Sequence, residues 1–383
     1  MRGTADAPRL RDDLAGSVAD IGVLVPLVAA LVLSVGFDPA VVLVGVGALY
    51  VAAGAVFRVP MPVQPIKAAA AITIARGLAP EQLAAAGVLL GVVLVGLSAT
   101  GLAARLATLF ATPVVRGLQL GVGLILIRTA GRLMGPSPSA VTIAVGASIA
   151  ALLVVGAVRR LPMALAVVSA GVAWSLSRDP ELSLQLGLWT PDLALARMDL
   201  DALASAFVLL VVPQLPLTFG NAVVGVSRLQ HEFFGARASR VTEPRVALSC
   251  GVANIAVGAF GGMPLCHGSS GLTAHVRAGA TTWRMNLVVG VPLLLAGLVA
   301  GPAVVSLLGL IPLAVLAGLL AFTGVMHAGL AAALRGPALA TAVTMGVVGV
   351  VTANLAWSLA VGLVTHWAPR ALRRRRPADT GLT

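Results

Sequence analysis

The sequence predicts an all-α polytopic membrane protein, with about fourteen spans set as two inverted seven-span repeats and with the third and tenth spans broken. Three observations predict it. Of 383 residues, 58% are hydrophobic and only 10% are charged, which leaves too little polar surface for a soluble globular domain. Arginine recurs singly between apolar runs, as topology determinants do. Two polar segments rich in proline or glycine, around Pro62 and Pro264, interrupt the apolar pattern at corresponding places in the two halves.

Residues 1–13 are expected to form a cytoplasmic N-terminus. Arg2, Arg9 and Arg11 precede the first apolar run, Asp12 and Asp13 follow, and no small-residue cleavage site marks a signal peptide. Residues 14–177 hold the first repeat, with spans near 14–36, 38–57, 60–77, 80–105, 111–132, 138–158 and 160–177. Residues 178–200, with Arg178, Asp179, Glu181 and Asp192, make an extracytoplasmic connection. Residues 201–369 hold the second repeat, with spans near 201–228, 243–260, 263–279, 283–308, 310–334, 337–353 and 354–369. In the basic tail, 370–383, Arg373, Arg374, Arg375 and Arg376 suit the anionic lipid of a cytoplasmic leaflet.

Charge placement tests the order. With both termini cytoplasmic, Arg105, Arg116, Arg159, Arg160, Arg228, Arg237, Arg240, Arg245, Arg277, Arg284, Arg335 and Arg370 all fall inside. Asp38, Glu81, Asp179, Glu181 and Asp192 fall outside, and Arg76, Arg128, Arg132 and Arg178 are the exceptions. An odd number of spans per half inverts the second half relative to the first. Pro60-Met61-Pro62 is echoed by Gly262-Met263-Pro264, and Asp20-Ile21-Gly22 by Phe219-Gly220-Asn221, at nearly the same offsets.

In the third span, Pro60, Pro62 and Pro65 forbid a continuous helix, because each lacks an N–H and restricts its predecessor. The segment is expected to enter extended and to turn helical at Pro65, a favoured first helical residue, for about 13 residues. In the tenth span Gly261 to Gly271, with Pro264 as the breaker, precedes an expected half-helix from Leu272 to Ala278. Two half-helix N-termini meeting at mid-membrane make an anion site.

Lys67 is the only lysine in the chain and sits where the helix dipole disfavours a cation, so a negative partner is expected, substrate or counter-ion; snorkelling to an interface is the plainer alternative. Gln64 offers an amide N–H to an oxyanion, or ties down free carbonyls. His267, Gly268, Ser269 and Ser270 supply donors at the second N-terminus, or the serines cap it. Asn221 binds substrate or holds helices together. Asp20 either pairs with Lys67 or, like His267, couples a proton.

The net charge of +12 does not gather on one face, which argues against nucleic acid. Cys250 and Cys266 match no zinc spacing and read as small buried hydrophobes, so no metal and no cofactor are implied. Cys266-His267 is the sole candidate catalytic pair, and adjacent residues project in different directions, so the chain is not read as an enzyme. Usage rich in arginine and alanine points to a bacterial source, hence to the cytoplasmic (inner) membrane.

At these motifs the chain resembles the molybdate transporter family within the sulfate permease superfamily. Pro60-Met61-Pro62-Val63-Gln64-Pro65-Ile66-Lys67-Ala68 is similar to that family's first signature, and Met263 to Leu272 to its second. Leu215 to Val223 and Asp20-Ile21-Gly22 are similar to its lesser blocks. The resemblance implies the seven-plus-seven fold shared with uracil permeases, a core domain moving against a gate domain, and uptake of molybdate. Thr273-Ala274-His275-Val276-Arg277 stands where an aromatic-containing segment is expected, a departure that bears on fine substrate choice, and sulfate, a smaller tetrahedral dianion, stays open as the alternative because pocket diameter is not read from sequence. An anion channel is the reading from a different class. The expected partners are a small oxyanion and the lipid bilayer; the sequence admits a homodimer without requiring one. No regulatory domain of the kind sulfate permeases append is expected after residue 370.

Overall fold

The computed structural model describes residues 10–18, 21–102, 111–158, 163–178, 186–193 and 199–374. The first half runs α1 (Leu10–Ser17), α2 (Ile21–Val35), α3 (Pro39–Phe57), β1 (Gln64–Pro65), α4 (Lys67–Arg76), α5 (Pro80–Thr100), α6 (Thr112–Leu133), α7 (Ala140–Val158) and α8 (Met163–Arg178). The second half opens with a long helix, α9, over 200–234. It is followed by α10 (Glu243–Ala259), β2 (Leu265–Cys266), α11 (Ser269–Arg277), α12 (Arg284–Gly309), α13 (Leu313–Gly329), α14 (Gly336–Thr352) and α15 (Leu355–Arg374). Among the described residues, six helices are long and apolar enough to cross a membrane.

Local chemistry sets the ends. Asp38 caps α3 by accepting from Ala40 N at 2.8 Å, with Pro39 as the first helical residue. At its other end Arg58 takes a left-handed φ of 59°, and its guanidinium lies 4.9 Å from the Trp283 ring centroid. In α9, π-helical turns over Phe207–Val211 and Thr218–Gly225 flank Val212–Leu217, where Pro213 and Pro216 remove donors from the regular ladder.

Helices pair through small residues, as packing in lipid favours. α3 lies on α12 and α5 on α10, while α6 lies between α13 and α14. A Cβ on Gly47 would stand 2.7 Å from Gly290 O, and one on Gly91 2.6 Å from Gly251 O, so these backbones touch. Outward faces carry exposed Val141, Trp174, Val252, Leu295, Val347 and Val351, an apolar coat that suits lipid.

Four expectations need correction. The fold is not purely helical, because β1 and β2 form a two-stranded antiparallel ladder pairing Gln64 with Cys266 and Pro65 with Leu265. Pro65 is therefore a strand residue, not the first of a helix; α4 begins at Lys67 and runs 10 residues. The second half-helix starts earlier than Leu272, at Ser269, with Gly268 as its N-cap. The helix of the expected eighth span does not stop at residue 228 but continues to Phe234.

The exceptional arginines also find an explanation. Arg132 Nη1 donates to Ala75 O at 3.0 Å, Arg128 Nη1 to Val350 O at 2.9 Å and Arg76 Nη2 to Thr352 O at 3.5 Å. They cap the C-terminal carbonyls of α4 and α14, which is where the helix dipole favours cations. Arg178 stacks 4.6 Å from the Trp174 ring centroid.

Candidate functional site

Non-helical backbone inside a membrane domain must be hydrogen-bonded by protein. The extended stretch after α3 is satisfied by buried side chains reaching in from other helices. Gln230 Nε2 donates to Pro60 O at 2.6 Å. Asn286 accepts from Met61 N at 2.9 Å and donates to Met61 O at 2.7 Å. His267 Nδ1 donates to Pro62 O at 2.8 Å. On the second break, Asn254 accepts from Leu265 N and donates to Leu265 O, at 2.6 and 3.0 Å. Ile66 N then donates to Pro264 O at 3.1 Å, so Pro264 serves the ladder as an acceptor.

That scaffold fixes where α4 and α11 begin. Neither N-cap, Ile66 or Gly268, makes a side-chain capping bond. The first-turn N–H groups of Lys67 and Ala68 have no acceptor within the helix. Both residues line a small cavity together with Gln119 and Val122 of α6, Gln214, Leu217 and Asn221 of α9, Cys266, and His327 of α13. Asn221 sits in the second π stretch of α9, Thr218–Gly225, which re-aims it relative to a regular helix.

The polar groups around this cavity share one arrangement: each amide oxygen is occupied by a protein donor. Lys67 Nζ donates to Gln64 Oε1 at 2.6 Å. Arg116 Nη1 donates to Gln119 Oε1 at 3.0 Å, and Ala69 N to Gln214 Oε1 at 3.4 Å. Ser269 Oγ donates to Asn221 Oδ1. Gln214 turns its NH2 to Thr218 Oγ1 at 3.1 Å. The amide NH2 groups of Gln119 and Asn221, the Lys67 ammonium and the first-turn N–H groups are left for a ligand. No carboxylate lines the cavity among the described residues. A donor-lined, cationic cavity at a helix N-terminus suits an anion rich in acceptor oxygens.

The expected residues distribute unevenly. Lys67 and Asn221 line the cavity, Gln64 holds the Lys67 ammonium, and Ser269 acts through Asn221. Gly268 stands against Gln64: a Cβ there would lie 2.1 Å from Gln64 Oε1. His267 does not line the cavity. Its Nδ1 is spent on Pro62 O and its Nε2 accepts from Ser249 Oγ at 3.0 Å, while its ring meets Phe57 edge-on at 5.8 Å. It ties the two breaks together rather than offering a nitrogen to a ligand. Ser270 is exposed and is not in the lining. Asp20 lies outside the described residues. Gln119, Gln214 and His327 join the site without having been singled out from the sequence, and Cys266, expected as a buried hydrophobe, also lines it. A lone polar residue in an apolar span was the available signal for those three.

The family described as "Molybdate transporter of MFS superfamily" matches residues 12–126 and 206–327. Molybdate transporter 2 of Arabidopsis thaliana is 30% identical over 363 residues, covering 82% of this chain and 78% of its own. Molybdate transporter 1 of the same plant is 29% identical over 360 residues, covering 82% and 78%. Among solved structures, the transmembrane domain of a cyanobacterium bicarbonate transporter, BicA, matches with a TM-score of 0.65 at 18% identity, covering 94% of this chain and 98% of that one. The murine anion transporter Slc26a9, in its inward-facing state, matches at 0.69 with 16% identity, covering 99% and 72%. The fold is thus that of the sulfate permease group to which these two belong.

Proposed function

The chain belongs to the molybdate transporter family, a family of membrane transporters and not of enzymes, and from that premise we propose that it is a secondary active transporter importing molybdate across a bacterial cytoplasmic membrane. The observation that carries the proposal is the set of amides around the cavity: amide oxygens turned to protein donors, amide hydrogens and the Lys67 ammonium left for a ligand. Such a lining supports a tetrahedral oxyanion and opposes a cation or a ring N–H donor.

The packing supports the two inverted repeats, 14–177 and 201–369. Exchanging each first-half element with its second-half equivalent (α2 with α9, α3 with α10, β1-α4 with β2-α11, α5 with α12, α6 with α13, α7 with α14, α8 with α15) turns the main helix pairs into other observed pairs or into themselves. The pair α3·α12 becomes α10·α5, α6·α14 becomes α13·α7, α7·α8 becomes α14·α15, and β1·β2 and α6·α13 become themselves. A pseudo-two-fold axis of this kind is the arrangement of alternating-access transporters.

Loop contacts sort into two ends, which supports both termini being cytoplasmic. Asp13 accepts from Thr281 N and Thr282 N, Arg237 donates to Thr281 O, and Arg240 donates to Val56 O, all at the arginine-rich end. The α4, α6 and α14 ends bound by Arg76, Arg128 and Arg132 form the other. The test is uptake of labelled molybdate into proteoliposomes with wild type or Lys67→Ala and excess sulfate outside. Saturable uptake that resists sulfate and falls at least tenfold in the variant is expected; full competition by equimolar sulfate would make sulfate the substrate, and no uptake of either would remove the reading.

A further inference from the structure

One group in the cavity departs from the donor pattern of the amides. His327 Nδ1 is 3.0 Å from Thr323 O, a backbone carbonyl one turn earlier in α13 that can only accept. The ring hydrogen is therefore on Nδ1, and Nε2, the other nitrogen of this cavity-lining ring, carries a lone pair while the imidazole is neutral. A lone pair repels an oxyanion; a protonated Nε2 donates to it and adds a positive charge. We infer that His327 is the proton-coupling group of the transporter, taking up one proton on Nε2 with each oxyanion that enters beside Lys67 and releasing both on the other side.

The surroundings fit that role. Of the helices packed against α13, α2 and α7 carry no titratable side chain. α8 brings Arg178, stacked on Trp174, and α6 brings Arg116, Arg128 and Arg132, bonded to Gln119, Val350 O and Ala75 O. Across the cavity stand Lys67 and Cys266. With no carboxylate among these described residues, a second positive charge beside Lys67 is favoured when a dianion stands between the two. The thermodynamic consequence is linkage: the proton strengthens anion binding, and the anion strengthens proton binding, by the same factor.

The inference rests on the oxyanion reading of the cavity, and the experiment separates the two. In proteoliposomes, molybdate counterflow is measured at about pH 5.5 and about pH 7.5, and net accumulation is measured under an inward proton gradient. Wild type should bind up to tenfold more weakly per pH unit on the alkaline side, and accumulate under the gradient. In His327→Gln, whatever counterflow remains should be the same at the two pH values, and gradient-driven accumulation should be lost. A His327→Gln protein with the wild-type pH profile and accumulation overturns the inference while leaving molybdate transport standing. Absence of wild-type counterflow at both pH values overturns transport and the inference together. Should the variant fail to fold, calorimetry of molybdate binding to wild type in two buffers of different ionisation heat counts the protons taken up. A count near one supports His327 coupling, and a count of zero overturns it.

Discussion

A methyl group at Gly268 would meet the Gln64 amide oxygen at 2.1 Å, a distance real Cβ atoms do not tolerate. Gln64 would have to swing away from Lys67, whose ammonium would lose its 2.6 Å acceptor at the mouth of α4. Gly268→Ala should therefore lower molybdate uptake at least tenfold, while thermal unfolding in detergent moves only by a few degrees; an unfolded variant, or unchanged uptake, would contradict this account. At this scale the sequence was partly legible. Lys67 stood out because it has no second copy, and Asn221 because it interrupts an apolar run. His267 was misplaced because composition does not show where ring nitrogens go: both are bonded to α3's exit and to α10. Gln119, Gln214 and His327 have no motif around them, and only the cost of a polar group in lipid marks them.

Among the elements, the breaks were legible and their joining was not. Proline forbids helix at residues 60 to 65, but a proline that cannot donate is as acceptable at the end of a two-residue ladder as at the start of a helix. Pairing between residues 64 and 266 leaves no local pattern to read. The π turns of α9 likewise carry no periodic signature. The ladder makes a mechanical prediction: if the two breaks travel together, locking them does no harm. Pro65→Cys with Leu265→Cys, in a chain lacking Cys250 and Cys266, places two thiols on paired Cα positions within disulfide range. Oxidation should leave uptake within about twofold of the reduced protein. Arrest on oxidation, reversed by a reductant, would mean that β1 and β2 separate during transport.

For the whole molecule, hydropathy made the membrane class readable, while the pairing of helices distant in sequence emerges only from three-dimensional packing. Orientation is testable because both native cysteines are buried. Single cysteines replacing exposed Ser137, beside the α6 end bound to α4, and exposed Ser239, at the arginine-rich end, should label oppositely with a membrane-impermeant reagent added outside intact cells. Ser137→Cys should react and Ser239→Cys should react only after permeabilisation; the reverse would invert the orientation. The Gln64–Cys266 pairing also bears on biosynthesis. About 200 residues must follow Gln64 out of the ribosome before its strand partner exists, so a nascent first half already in the bilayer has an N-terminal half-helix without its mate. The cavity, whose lining includes Cys266 and His327, is complete only when the last third of the chain arrives, so a nascent first half carries no anion site of its own.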